Sequence, residues 1–291
     1  MEDFETCCLA DINLPAITSL GEFLDISQLV YRLNKHSLML SSHQKETEEV
    51  VHRNLRMGIG LTGICQASDL QMGWLNEAYE FLRTTDEEYS ALRGWPTSIK
   101  LTTVKPSGTL SLLPGVTPGI HPGFAQFMLR RIRIAAEHPL VTTCTDHGYP
   151  VEFAKNFDGS LNYGTCVVTF PFRYPDGTVL ARDVTAIKQL EMISRLQANW
   201  SDNSVSCTVY YKPEELPAIR SYLEKNYTNG IKTVSFMLHS DHGFLQAPYE
   251  EISEEAYNKL VASTRVINSV PTCVEEELAA EDCEKGACPI R

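Results

Sequence analysis

No stretch of this sequence approaches the ~20 consecutive apolar residues of a membrane-spanning helix, so no span is expected. An apolar segment is also missing near the start. Met1-Glu2-Asp3-Phe4-Glu5-Thr6 is acidic and unlike a secretory signal, and a cytoplasmic protein is expected. Basic residues are scarce, 25 against 37 acidic ones, for a formal net charge of -12. A chain of that sign has no surplus of cations to neutralise a nucleic-acid backbone, which argues against direct binding of that kind. One small anion site needs only a few donors, so nucleotides stay open. His-Glu-x-x-His, Gly-x-Ser-x-Gly and Gly-x-Gly-x-x-Gly are all absent. Neither an internal repeat nor a low-complexity block occurs.

What is present suits a globular protein. The 291 residues are enough for one large domain or two ordinary ones, and 43% hydrophobic content can supply a core. Nine cysteines, an odd number, are scattered along the chain. Without an export signal, free thiols with a few redox-active members fit better than a disulfide framework. Cys65, Cys144, Cys166 and Cys207 read as small buried hydrophobes.

Helical patterning covers about 20–40, 46–56 and 75–93, the last stopping before Pro96. Between Asp183 and Leu238 the period changes. Ile187, Leu190, Ile193 and Leu196 recur at helical spacing, and then Val205, Cys207 and Val209 alternate with Ser204, Ser206 and Thr208 as in a strand. Lys212-Pro213-Glu214 opens a helix that Asn229-Gly230 should close. Residues 233–238 form a second strand. Strand, helix and strand in that order imply a parallel pair and an α/β architecture. From Tyr249 onward the chain is acidic, and after Pro271 it has few large hydrophobes. This predicts a linker over 249–272 and a flexible tail over 273–291, behind a folded block over 1–248.

Three features carry possible chemistry. Cys283 and Cys288 are separated by four residues, Gly286 among them, close enough to close a disulfide and to exchange with a partner's. Half a zinc site or coincidence are the alternatives, although no second Cys or His pair stands nearby to complete a metal site. Acidic Glu281, Asp282 and Glu284 should raise these thiols' pKa values, which Lys285 opposes only in part. Lys105-Pro106-Ser107-Gly108-Thr109-Leu110-Ser111 sets small hydroxyl residues around a glycine, a source of donors for phosphate or simply a turn. Cys7 and Cys8 are adjacent. Such a pair rarely bridges to itself, so one should pack inside while the other reacts elsewhere. His239-Ser240-Asp241-His242 reads as a polar loop, and no metal is expected.

In this order the features resemble one family, the ribonucleotide reductases. Cys7-Cys8-Leu9-Ala10-Asp11-Ile12-Asn13-Leu14 is similar to the family segment that carries the second cysteine of a redox pair, a role the resemblance gives to Cys7. Met57-Gly58-Ile59-Gly60-Leu61-Thr62-Gly63 resembles a Gly-Ile-Gly barrel strand. The 105–111 segment resembles the substrate-phosphate loop, which implies that Ser107, Gly108, Thr109 and Ser111 bind phosphate. Gly230-Ile231-Lys232-Thr233 resembles the start of a late strand. Ser235 and Phe236 occupy the positions of two radical-relaying tyrosines found in the class that uses a metal-containing subunit. That departure, the segment Asn199 to Ser206 and the Cys-x4-Cys-Pro-Ile-Arg ending match the adenosylcobalamin-dependent, triphosphate-reducing class.

The resemblance implies the C-terminal part of a ten-stranded α/β barrel with a flexible tail. It also implies ribonucleoside triphosphates as substrates, adenosylcobalamin as cofactor, and thioredoxin as the partner that Cys283 and Cys288 serve. The radical-bearing cysteine and the first redox cysteine of the family lie upstream of this sequence. A missing N-terminal part, from the same gene or a split one, is therefore expected to complete the enzyme. Alternatives are a non-catalytic thiol-shuttle or assembly subunit, or a fragment of a metal-subunit-dependent reductase.

Overall fold

The computed structural model describes residues 1–156, 158–228, 230–239 and 245–268. Along the chain the elements are β1 (Cys8–Asn13), α1 (Leu20–Leu38), α2 (Lys45–Asn54), β2 (Met57–Thr62), α3 (Asp69–Gly73), α4 (Leu75–Arg93), β3 (Phe127–Ala135), α5 (Pro139–Asp146) and β4 (Val151–Lys155). They continue with β5 (Leu161–Arg173), α6 (Ala186–Asn199), β6 (Thr208–Tyr211), α7 (Leu216–Asn226), β7 (Ser235–Leu238), β8 (Tyr249–Glu251) and α8 (Glu254–Ser263). Two units share these elements. The first comprises Met1–Gly123 and 177–239, and the second Phe124–Asp176 and 245–268.

The first unit is built on parallel extended segments joined by helices. β1 pairs parallel with β2, from Cys8 opposite Met57 to Asn13 opposite Thr62. On its other side β2 is flanked by the segment 100–104, where Ile59 bridges Thr102 in parallel and Thr103 N–H donates to Ile59 O at 3.0 Å. Val104 bridges Val205, and β6 then pairs parallel with β7. The parallel pair expected over 205–238 is present, although β6 begins only at Thr208 and a 3-10 turn over Pro213–Glu215 precedes α7.

Helices cover one face of this array. α1 starts at Ser19, whose side chain accepts from Glu22 N–H, and it buries Phe23, Ser27, Tyr31, Asn34, Lys35 and Leu38, one turn after another. The strands answer with Met57, Ile59 and Leu61, each fully buried in the core. Trp200, at the end of α6, is stacked on Phe23 with centroids 5.6 Å apart, and its Nε1–H donates to Thr103 O at 3.1 Å. Asn203 Nδ2 reaches Met57 O and Thr102 O, while Asp202 accepts from Leu101 N–H and Tyr79 OH. The 199–206 segment thereby fastens α6 to the middle strand and to α4.

The second unit is an antiparallel sheet in the order β4-β5-β3-β8. Its long hairpin-like pair sets Phe127 opposite Arg173 and Ala135 opposite Thr165. Sequence patterning gave no sign of it, because Arg130, Arg131 and Arg133 interrupt the apolar alternation of β3. Arg131 ion-pairs with Glu250 at 2.5 Å, and Arg130 lies over the Tyr249 ring at 4.6 Å. These contacts also explain why 249–263 is not the linker that its acidity suggests. Ser253 caps α8, Glu254 and Glu255 sit in its first turn where the helix dipole favours them, and Tyr257 meets Phe127 at 5.4 Å. The block expected over 1–248 is likewise interrupted by Phe124–Asp176. The tail over 273–291 lies outside the described residues. Among the described residues no helix is long and apolar enough to cross a membrane.

Candidate active site

Side chains alternate across a strand, and register carries that alternation from one strand to the next. Cys8, Ala10 and Ile12 of β1 face the helices with Met57, Ile59 and Leu61 of β2. The opposite face therefore takes Cys7, Leu9, Asp11 and Asn13, then Gly58, Gly60 and Thr62, then Thr103, Lys105 and Ser107. The close approaches agree with this assignment. A Cβ added at Gly58 would meet Leu9 Cδ2 at 2.7 Å and Thr103 Cγ2 at 2.9 Å, and one at Gly60 would meet Asp11 Oδ1 at 2.3 Å. The two glycines of β2 make room for side chains of the flanking strands to lie across it.

The candidate redox thiol and the candidate phosphate loop thus share one face of one parallel array. Of the adjacent pair, Cys8 is the one that packs against the core. Cys8 Sγ donates to Asn34 Oδ1 of α1 at 3.3 Å and touches the core, whereas strand alternation carried back one residue from β1 assigns Cys7 to the other face. Both are half-buried. Burial pushes the Cys7 thiol up, with Arg56 opposing and Glu5 reinforcing the shift. Burial and the neighbouring Cys7 raise Cys8, which Ser37 opposes. Cys144, Cys166 and Cys207 are buried, as small hydrophobes should be. Cys65 is half-buried, and its Sγ donates to Ile120 O at 3.2 Å. Burial pushes Cys65 up to about 11 and Cys207 to about 12. Labelling of Cys7 by iodoacetamide is therefore expected to be slow at pH 7 and to rise about tenfold per pH unit as thiolate forms. Peptide mass spectrometry reads this directly, and a rate flat between pH 7 and 9 would contradict it.

The loop from Lys105 to Ser111 leaves the third strand and is held from below. Ser107 is buried, its Oγ 2.6 Å from Thr62 Oγ1. Thr62 Oγ1 also donates to Thr117 O and accepts from Gly119 N–H. Ser111 is fully buried and donates through both N–H and Oγ to Ser107 O. Gly108 is half-buried and Thr109 exposed. The four candidate phosphate residues are therefore brought together, but the hydroxyls of Ser107 and Ser111 brace the loop and face inward. Gly119 closes the arrangement at φ +57°, with Lys105 O only 2.2 Å from where a Cβ would sit. His121 is locked as well. Its Nε2 accepts from Thr208 N–H at 3.0 Å, and burial lowers its pKa, so it serves as a neutral strut.

Sequence reasoning did not single out Asp11, Thr62 or Gly119. The available signal was the polar alternation of Cys7, Asp11 and Asn13 combined with Gly-x-Gly inside a strand, which marks close approach. Lys105 Nζ donates to Asp11 Oδ2 at 2.6 Å across Gly60. Burial raises the Asp11 pKa against the pull of Lys105. Among the described residues no group of three or more His, Cys, Asp or Glu is gathered to hold a metal. Cys283, Cys288 and Ser240 to His242 lie outside the described residues.

No protein-family model matches the chain. Its fold is that of the ribonucleotide reductases. A crystal structure of a B12-dependent (class II) ribonucleotide reductase aligns with a TM-score of 0.74, at 24% identity, over 92% of this chain and 41% of that one. The alpha subunit of the class Id enzyme of Actinobacillus ureae aligns with a TM-score of 0.51, at 13% identity, over 80% of this chain and 50% of that one. In sequence the chain is 34% identical over 304 residues to the "Probable adenosylcobalamin-dependent ribonucleoside-triphosphate reductase" of Dictyostelium discoideum, covering 100% of this chain and 39% of that protein. It is 31% identical to the adenosylcobalamin-dependent ribonucleoside-triphosphate reductase of Euglena gracilis, covering 99% of this chain and 40% of that protein. The chain belongs to the family of adenosylcobalamin-dependent ribonucleoside-triphosphate reductases. It spans about two-fifths of the length of these curated relatives.

Proposed function

We propose that this chain is the C-terminal portion of the catalytic subunit of an enzyme that reduces ribonucleoside triphosphates to 2′-deoxyribonucleoside triphosphates. The observation that carries the reading is geometric. The strand alternation of β1, carried back one residue to Cys7, assigns Cys7 and the start of the loop 105–111 to the same face of one parallel array, inside a chain matched along its whole length by reductases. β1 and β7 each have one side without a strand partner among the described residues, and further strands of a ten-stranded barrel would cover those edges.

The loop would hold the triphosphate through Gly108, Thr109 and the backbone around Ser107 and Ser111. Cys7, with a second thiol from the remainder of the reductase, would supply two electrons and two protons. The C2′–O bond breaks, the oxygen leaves as water, and the two sulfurs join in a disulfide. Cys283 and Cys288 would exchange with that disulfide, and thioredoxin would reduce them in turn. The raised pKa of Cys7 suits this task, because at neutral pH the group keeps the proton that the leaving hydroxyl needs.

Adenosylcobalamin is carried over from the relatives' names. Two surface hollows of about 400 and 310 Å³ are lined respectively by residues such as Ser37, His43 and Glu48 and by Leu129, Arg131 and Glu152. Neither includes the loop 105–111, and both fall in the range of drug-sized ligands, far below a corrinoid.

The test is reduction of a ribonucleoside triphosphate with adenosylcobalamin and thioredoxin, by this chain alone and after mixing with an N-terminal reductase portion. Deoxynucleotide formed only in the mixture is the expected outcome. No product in either arm would overturn the reading.

A further inference from the structure

Beyond Lys105 the loop, residues 106–111, offers a nucleotide only neutral donors, yet a triphosphate is a concentrated anion and the chain carries a net charge of -12. A cation at this loop would favour binding, and one stands at its foot. Lys105 begins the loop and shares the face of Ser107, two residues on. Its position is fixed at both ends. The backbone carbonyl is wedged against Gly119, where a Cβ would lie 2.2 Å away, and the ammonium donates to Asp11 Oδ2 at 2.6 Å.

Asp11 is seated as firmly. Its side chain is 7% exposed against 23% for Lys105, so the ammonium is the outward end of the pair. Asp11 Oδ1 is buried against Gly60 and has no partner among the described residues. A carboxylate left half-paired in that way is costly unless its charge is used. An ammonium has three donors, and Asp11 is the one partner recorded for Lys105 among the described residues, leaving donors to spare. A tethered lysine also surrenders less rotamer entropy on meeting an anion than a free one.

We infer that Lys105 is the phosphate-binding cation of the nucleotide site and that Asp11, seated in the notch at Gly60, is the residue that positions it. The inference rests on the nucleotide reading above and adds to it two residues that no hydroxyl-and-glycine pattern points to. It also gives the Gly-x-Gly of β2 a purpose in binding: Gly60 is the seat of the positioning carboxylate.

The test is titration calorimetry on the full chain with a ribonucleoside triphosphate and, separately, with the matching nucleoside. Lys105→Met should weaken the triphosphate about tenfold, the loss of one charge-assisted contact, and leave the nucleoside unchanged. Lys105→Arg should retain most of the triphosphate affinity. Asp11→Asn and Gly60→Ala should each lower the ratio of triphosphate to nucleoside affinity, the first by releasing Lys105 and the second by unseating Asp11. Equal losses for nucleoside and triphosphate would mean structural damage alone and would overturn the inference. So would a Lys105→Met variant that binds triphosphate as the unaltered chain does. If the unaltered chain binds no nucleotide at all, the nucleotide reading itself falls, and this inference falls with it.

Discussion

Replacing Asp86 with alanine is expected to destabilise the first unit by about 3–5 kcal/mol, enough to consume much of the ~5–15 kcal/mol that holds a typical domain together. Asp86 is 1% exposed and sits on α4 facing α1. Its Oδ1 accepts from Lys35 Nζ at 2.7 Å and from Tyr31 OH at 2.8 Å, and its Oδ2 accepts from Ser98 N–H at 2.7 Å. Lys35 spends its other donors on Pro96 O and Ser98 Oγ. The network is satisfied, so its members contribute only as a set. Alanine would strand a fully buried ammonium whose pKa burial already lowers, and would orphan the Tyr31 hydroxyl and the Ser98 N–H. Pairing Lys35→Met with Asp86→Leu should restore a large part of the loss, because it removes the charge together with its partner. Urea unfolding of the chain checks both. A single-variant loss under about 1 kcal/mol would show that water reaches the site and that the pair is not a buried pin.

The extent to which the sequence discloses this fold follows from which interactions are local. α1, α2 and α4 are legible because each combines a buried stripe with a nearby stop. Leu55 in the left-handed region ends α2, and Gly94 caps α4. The β6-α7-β7 unit is legible for the same reason, its strand alternation and proline-led helix start lying within thirty residues or so of each other. The antiparallel sheet of the second unit is not. Its arginines are accommodated by Glu250 and Tyr249, more than a hundred residues away, and nothing near Arg130 or Arg131 foretells them. Strand β8 and helix α8 fail to show for the complementary reason, since acidity alone looks like solvation until the partners are in place.

The candidate site divides along the same line. Cys7 and the segment 105–111 are visible as motifs, and their common face follows from strand register, which the sequence does not state. The hydroxyls of Ser107 and Ser111 look like ligand donors in one dimension. In three they are spent on Thr62 Oγ1 and on Ser107 O, which stiffens the loop. Asp11 is invisible for want of a reason to look. Its importance depends on Lys105, ninety-four positions later, and on a glycine between them.

Cys7→Ser is expected to cut deoxynucleotide formation at least ~10³-fold in the completed enzyme, the scale seen when a reacting group itself is removed. Cys8→Ser should change it only a few-fold. The two residues are neighbours of the same type, and the family resemblance gives the role to Cys7; the surroundings of Cys8 supply a physical reason to expect the two substitutions to differ. Cys8 Sγ is committed to Asn34 on the helical face, where serine can take over the hydrogen bond. Cys7 faces the side that carries Lys105 and Ser107, and a serine there can neither give up electrons nor form a disulfide. Nucleotide affinity and unfolding midpoint should survive both substitutions, because neither residue contributes a large buried apolar surface. The decisive readout is therefore the ratio of turnover to triphosphate affinity. A Cys7→Ser variant that binds and still turns over would move the redox role to another thiol. A Cys8→Ser variant that binds but is inactive would move it to the helical face, against the register of β1 with β2.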